Sequence, residues 1–531
     1  MQRSCIAPLV AVLLTGSLAS AQTFTEVGLT VLGNVNFDSR SCSFADIDND
    51  GDPDLLFQGG GPSANRDAAR QLFRNEFVPS GTLSFTNITA ASNITTPDST
   101  GWSAGWADVD GDGLVDLYLG QTNVTTGLDP RGDHFRNLGN GVFENVSAST
   151  INDPGFVQNV AWGDVNNDGR LDLMLGMEGP EMHELYLHQE DGSFLQSGAA
   201  AGLHVPHGTK AYGMAVADPD KDGDLDIYMS TCQGGGNIRN NFFENRFIPD
   251  GQIFFEDKAD TNGTQYLDNT YHAEFVDFDN DGWLDLFVIG ADQRGSKIFR
   301  NNTDGSYTDM DSILGRPLIS NTGGDLNGGK ALDYDNDGDL DLFFHDHLRA
   351  TTSGGTTASN VARLLYRNDG DWNFVDVTAD EGLLEVNRGS YDSSFADLDL
   401  DGDLDLVATT DSGTRERVYL SNASENGNGS LLVHLRAPGT MNTRAIGAFV
   451  EVTLNAGTAQ QVTLRRECNT NAGTFNQSDV PIHFGLGSAT AVDSLRVSWP
   501  DGTTTVDTDV SAGQAITYTK ATPHPVGWLV Q

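Results

Sequence analysis

Basic residues are scarce in this chain. Its 531 residues hold 30 Lys and Arg against 75 Asp and Glu, a formal charge of −45 at pH 7. That imbalance excludes nucleic acid and anionic membrane surfaces as main partners, since both repel a polyanion. Cysteine is scarcer still, with four in all. Beyond Cys5 near the start there remain Cys42, Cys232 and Cys468, an odd and widely spaced set. This excludes a disulfide scaffold and predicts at least one buried free thiol. No later segment is long and apolar enough to span a membrane. No amphipathic helical period stands out, and with 61 glycines and short β-type runs throughout, the expected class is all-β. A Gly-x-Ser-x-Gly elbow, a His-Glu-x-x-His zinc motif and a phosphate-binding glycine loop are all missing.

What the chain has instead is repetition. The nonapeptide Asp-x-Asp-x-Asp-Gly-x-x-Asp returns seven times at intervals of 54 to 64 residues, with Asn166 replacing one Asp in the third copy. Oxygens at positions 1, 3, 5 and 9, with a backbone carbonyl at 7, suit a hard cation, and the glycine at position 6 permits the positive φ that folds the loop back. The ligands expected in the first three loops are Asp46, Asp48, Asp50, Asp52 and Asp54; Asp108, Asp110, Asp112, Leu114 and Asp116; and Asp164, Asn166, Asp168, Arg170 and Asp172. The other four loops offer Asp218, Asp220, Asp222, Asp224 and Asp226; Asp277, Asp279, Asp281, Trp283 and Asp285; Asp333, Asp335, Asp337, Asp339 and Asp341; and Asp397, Asp399, Asp401, Asp403 and Asp405. Only the carbonyl is asked for at position 7, so its side chain is expected to vary freely. Packed carboxylates repel one another unless a cation sits among them, so up to seven structural Ca²⁺ ions are expected. Position 12 is apolar in every copy, from Phe57 to Ala408, where an EF-hand needs a bidentate Glu. Short β-type runs flank each loop, which therefore joins strands.

Two further signals share the period. An aromatic strand recurs at Phe24, Phe85, Phe143, Phe194, Phe255, Tyr307 and Phe374, each copy ahead of an acidic loop. A third strand, often ending Arg-Asn, recurs at Leu72–Asn75, His134–Asn137, Ile298–Asn301 and Leu365–Asn368. Four strands per repeat make a propeller blade. Because the chain begins on the last strand of a blade and the repeats end near Val418–Leu420 on a third strand, Phe24–Val27 is expected to complete the final blade and close a seven-bladed ring.

The units resemble FG-GAP/VCBS-type repeats, the calcium-binding blades also found in integrin α-subunits; Phe44-Ala45-Asp46-Ile47-Asp48-Asn49-Asp50-Gly51-Asp52 carries the match. The resemblance implies one structural Ca²⁺ per acidic loop, near the rim of a blade. Past a Gly/Asn-rich stretch at 423–430, read as a linker, the chain resembles the ASPIC/UnbV domain that often follows such propellers in secreted acidic proteins, including the cartilage acidic proteins. Arg444-Ala445-Ile446-Gly447-Ala448, Asn476-Gln477-Ser478-Asp479, His483-Phe484-Gly485-Leu486-Gly487 and Val497-Ser498-Trp499-Pro500-Asp501-Gly502 carry that match, while Asn471–Phe475 fits loosely. The expected map is a leader at 1–21 cleaved after Ala21, a propeller at 22–422, a small β domain at 431–521 and a tail at 522–531.

The function expected is that of an exported, non-enzymatic binding or adhesion scaffold for protein or glycan partners, with a polysaccharide-active enzyme or lectin as the alternative. His272, His345 and His347 read as structural strand residues, His483 as a turn residue, and Trp102, Trp106 and Trp162 as packing between blades. Asn87, Asn145 and Asn301 stand in glycosylation sequons, and Arg131-Gly132-Asp133 forms an integrin-recognition tripeptide expected in an exposed turn.

Overall fold

The computed structural model describes residues 22–35, 39–59, 70–94, 99–121, 123–124, 132–147, 151, 153, 155–177, 183–203, 210–232, 239–290, 295–311, 326–346, 363–385, 389–410, 415–468 and 476–520. The expected leader, the tail beyond residue 521, His347, Arg131 and Asn471–Phe475 lie outside this set. The fold is all-β, and among the described residues helices are limited to single turns such as Gly28–Val31. Among the described residues, no helix is long and apolar enough to cross a membrane.

Each repeat forms one antiparallel sheet. In sheet one, Ser39–Ala45, Asp54–Gly59, Arg70–Asn75 and Phe85–Asn87 pair in chain order, with the acidic loop joining the first two strands. Sheets two to six repeat this order, their first strands being Ser103–Ala107, Val157–Gly163, Lys210–Ala217, Thr270–Val276 and Leu326–Leu332. Sheet seven takes Ser393–Ala396, Asp405–Ala408 and Arg417–Ser421, and draws its fourth strand, Phe24–Glu26, from the other end of the chain. Arg415 clasps Glu26 through both carboxylate oxygens at 2.9 and 2.7 Å, fixing that junction.

The inner strands are buried along both faces, which explains why they read as short apolar runs without alternation. Each sheet packs on its neighbour. Trp106 and Phe143 of sheet two lie against Ile47 and Leu72 of sheet one, and Trp162 of sheet three lies against Tyr118 of sheet two. The last of these clusters joins Leu398, Val407 and Val418 of sheet seven to Phe44, Phe57 and Phe73 of sheet one. The same seam carries a buried carboxylate: Glu416 accepts from Ser39 Oγ (2.9 Å) and the Thr410 amide (2.8 Å).

The C-terminal segment builds two more sheets around a core that includes Leu431, Val450, Phe484, Leu495 and Trp499. Its first strand runs Gly429–Arg436, two residues ahead of the expected start at Leu431, and Ala423–Asn426 forms a 3₁₀ turn instead of a loose tether. A short piece of this segment inserts among the first strands of the repeats. Asn476–Gln477 pairs in parallel with Ala104–Gly105. Asn476 Oδ1 accepts the Ala104 amide (2.9 Å), while its Nδ2 donates to Asp392 (2.6 Å) and to Cys42 O (3.1 Å). Gln477 takes the Trp162 amide (2.9 Å) and Ser478 the Phe44 amide (3.1 Å). Three residues thus tie sheets one, two and three to one another and to Asp392, which adjoins strand Ser393–Ala396 of sheet seven.

Several expectations change. His483 lies inside strand Ile482–Gly487 and marks no turn. Trp106 and Trp162 are buried between sheets as expected, and Trp102, though partly exposed, also packs on Tyr212 of sheet four, with the Arg40 guanidinium 5.6 Å from its ring. Gly132 is buried and Asp133 opens strand Asp133–Asn137, where its carboxylate holds Arg70 and Gln121, so these two residues form no exposed turn. Asn301 is buried and donates to Pro219 O and Leu284 O, both at 3.0 Å, which leaves Asn87 and Asn145 as the accessible sequons of the three. Cys42 is a buried free thiol, and Cys232 is buried as well.

Candidate metal centres

The acidic loops all sit at one end of their sheets, between first and second strands, and share one hydrogen-bond plan. In loop six, Asp333 at position 1 accepts the amides of Asp337 (3.0 Å) and Gly338 (2.9 Å), curling the chain around its own carboxylate. Asp341 at position 9 accepts the Tyr334 amide with one oxygen (3.1 Å) and the Asn368 amide with the other (2.8 Å). The second bond ties the loop to the third strand of its sheet. Its counterpart recurs at Asn75, Asn137, His188, Asn245, Asn301 and Ser421. Position 9 is therefore a staple, which explains why it stays Asp in all seven copies.

The expected left-handed glycine at position 6 is present, for example at Gly51 (φ 103°) and Gly338 (φ 101°). Position 4 is left-handed too, a feature sequence reasoning missed. Asn49, Asn167, Asn280 and Asn336 adopt φ between 54° and 60° there, as does Leu400 at 57°, and Lys221 follows at 61°. Asparagine tolerates this region better than other side chains, and here it also reaches the next loop. Asn49 Nδ2 donates to Gly113 O (3.0 Å), Asn167 to Gly223 O (2.9 Å), Asn280 to Asp339 (3.0 Å) and Asn336 to Asp403 (2.8 Å). Third-strand asparagines link the other way: Asn137 Nδ2 reaches Ile47 O (2.9 Å) and Asn75 Nδ2 reaches Leu398 O (2.9 Å), the latter joining sheet one to loop seven. Position 7 is also less free than expected. Asp52, Asp224 and Asp403 accept the amides of Val78, Ile248 and Ser424 at 2.7 to 2.8 Å.

Oxygens converge within the loops. Ligand atoms of Asp46, Asp48 and Asp50 all lie within 4.8 Å of one another, as do those of Asp108, Asp110 and Asp116; of Asp218, Asp220 and Asp222; of Asp277, Asp279 and Asp285; and of Asp333, Asp335 and Asp341. Oxygens on opposite sides of a Ca²⁺ ion bound at about 2.3–2.6 Å have this separation. Burial pushes the carboxyls upward, to about 9 at Asp54 and about 8 at Asp116, Asp172 and Asp333. Asp226, Asp285, Asp341 and Asp405 are driven well above the ordinary carboxylate range for the same reason. One oxygen each of Asp48, Asp279, Asp335 and Asp399 at position 3, and of Asp52 and Asp224 at position 7, is buried without a hydrogen-bond partner. An unmet buried carboxylate oxygen is costly. A bound divalent cation removes that cost, and an all-oxygen donor set fits Ca²⁺.

The C-terminal segment lies on the same end. Thr443 donates its hydroxyl to Asp108, Arg444 Nη2 to Asn49 Oδ1 (2.9 Å) and Arg465 Nη1 to Gly282 O (3.2 Å). Asn426 and Asn428 both donate to Asp335 O, at 2.7 and 2.9 Å. No motif in the sequence announces these long-range contacts.

The chain is similar to several known proteins. A lectin from Agrocybe aegerita that recognises non-reducing terminal N-acetylglucosamine aligns at TM-score 0.37 and 16% identity, covering 67% of this chain and 79% of that one. The Dos1 propeller aligns at TM-score 0.38 and 8% identity, covering 73% and 93%. Cartilage acidic protein 1 of Xenopus tropicalis is 26% identical across 92% of this chain and 75% of that protein, and its Homo sapiens counterpart is 25% identical across 94% and 75%. The FG-GAP-like repeat profile matches residues 124–175 and 277–344, and the ASPIC and UnbV profile matches 439–524. The chain carries FG-GAP-like repeats followed by an ASPIC and UnbV domain, the arrangement its motifs resembled, and nearly its whole length is similar to cartilage acidic protein 1.

Proposed function

We propose that the chain is an exported, calcium-stabilised, non-enzymatic scaffold that binds protein or glycan partners. Its seven sheets are the blades of one closed propeller, spanning 22–422 after a leader cleaved behind Ala21, and the β domain at 431–521 docks on the loop end. Up to seven Ca²⁺ ions are held by the carboxylates, the Asn166 amide oxygen and the position-7 carbonyls of the acidic loops. The ions supply positive charge at the turns; the chain's own residues do the rest, curling each loop through position 1 and stapling it through position 9. The observation that carries this reading is that position-9 carboxylates bind both their own loop and the third strand of their sheet by hydrogen bonds while sharing a cluster with other carboxylates, as Asp341 does with Asp333 and Asp335. The non-enzymatic reading rests on where the remaining titratable groups lie. His272 and Glu274, for instance, are buried in strand Thr270–Val276, with Glu274 held by Lys330 at 3.1 Å.

A glycan array together with turnover assays on a polysaccharide panel tests the functional half. Binding without turnover is expected. Turnover abolished by substitution of a carboxylate outside the loops would overturn the scaffold reading in favour of an enzyme.

A further inference from the structure

The seven loops are not equivalent in their cationic neighbours. Four third strands carry Arg immediately before their terminal Asn, at Arg74, Arg136, Arg300 and Arg367. Each guanidinium is within reach of its own sheet's loop, and three of the four are drawn aside by a nearby acid. Arg74 pairs with Glu76 at 2.7 Å and Arg367 with Asp369 at 2.7 Å, in both cases two residues on. Arg136 pairs with Glu144, its cross-strand partner, at 2.5 Å. Arg300 has neither acid: Asn302 stands two residues on and Thr308 stands across the strand. Its guanidinium turns onto loop five instead, with Nε 2.6 Å from Asp279 and Nη2 3.3 Å from Asp281, the carboxylates at positions 3 and 5. Loop three has its own cation. Arg170 at position 7 places Nη2 2.5 Å from Asp168 at position 5, while its Nε anchors on His188 O at 2.9 Å. The same loop carries Asn166 in place of a carboxylate.

We propose that Arg300 and Arg170 are tethered cations that compete with metal, so that loops five and three fill last and form a low-affinity class among the seven sites. The proposal rests on the loops being calcium sites. A guanidinium paired with two ligand carboxylates must be displaced before a divalent ion can use both oxygens, and its charge also repels the arriving ion. Arg300 is partly exposed, so screening limits the penalty. The chain would then keep five ions at calcium levels where two have left, loosening two separated blades and sparing the rest.

The test is a calcium titration of the chelator-stripped full chain, with bound ions counted by native mass spectrometry at each step. The unaltered protein is expected to fill in two stages, the last two ions needing about tenfold more calcium than the others. Arg300→Gln is expected to move one ion into the tight class. Asn302→Asp, which supplies the acid that Arg74 and Arg367 have two residues on, is expected to do the same with the guanidinium still in place. Arg239→Gln, an equal charge change ahead of the third strand Asn241–Asn245, where Arg239 pairs with Asp257 and Asp260 at the end away from the acidic loop, is expected to alter neither stage. Filling in a single stage, or two stages unmoved by both Arg300→Gln and Asn302→Asp, would overturn the proposal and leave the calcium sites standing. Binding of no ion at any level would remove the calcium reading and the proposal together.

Discussion

Stripping divalent cations from the full chain is expected to lower its melting temperature by about 10–20 °C, and added Ca²⁺ to restore it. Extracellular sites bind Ca²⁺ with Kd on the order of 10⁻⁴–10⁻³ M. In roughly 10 mM calcium each such site contributes about 1.4–2.7 kcal/mol through preferential binding to the folded state. Seven sites give on the order of 10–20 kcal/mol, and a chain of this size loses about 1 °C per kcal/mol. Scanning calorimetry with and without chelator checks this; a change under 3 °C would count against structural calcium. The pH dependence has a definite sign. Asp54, raised to about 9, and Asp116 and Asp172, raised to about 8, stand above an unfolded value near 4 because burial disfavours their charge. Without metal the folded form therefore binds more protons than the unfolded form, and its stability falls as pH rises from about 4 to about 9. With calcium the ion takes the place of those protons, so the gap in melting temperature between the two forms is expected to widen with rising pH.

The second large effect is expected at position 9. Asp341→Ala removes the acceptor for two backbone amides, those of Tyr334 and Asn368, and both donors lie in buried surroundings. Each unmet buried amide costs about 1–3 kcal/mol, so the substitution should cost about 3–5 kcal/mol by denaturant unfolding even in chelator. Asp337→Ala at position 5 removes an oxygen that only receives the Asp339 amide at 2.9 Å, in a more exposed part of the same loop. Its cost should be under about 1 kcal/mol in chelator, with the larger part appearing only when calcium is present. Equal costs in chelator for the two variants would contradict the staple.

These two roles within one loop show how much the sequence makes legible. The period, the four strands of each repeat and the pairing of Phe24–Glu26 with Arg417–Ser421 follow from local patterns, because a nine-residue loop and its flanking strands carry their instructions within one repeat. The carboxylate clusters were legible for the same reason. Division of labour among the carboxylates was not, since it depends on amides of strands brought alongside by folding, such as Asn368 beside Asp341. A signal did exist: Asn recurs at loop position 4 and at the end of third strands, and its side chain joins one repeat to the next. The docking of Asn476–Asp479 among inner strands left no comparable trace. Its partners Cys42, Ala104 and Asp392 are hundreds or tens of residues distant and mostly offer backbone groups, which any residue type supplies. Arg300 illustrates the finer limit, for its direction depends on what its neighbours lack.

The central claim is that the acidic loops hold calcium, and the most direct measurement is a count of bound ions. Native mass spectrometry of the full chain in saturating calcium is expected to show up to seven Ca²⁺ per molecule, with Asp341→Ala one ion short. A mass equal to that of the bare polypeptide at every calcium level would contradict it.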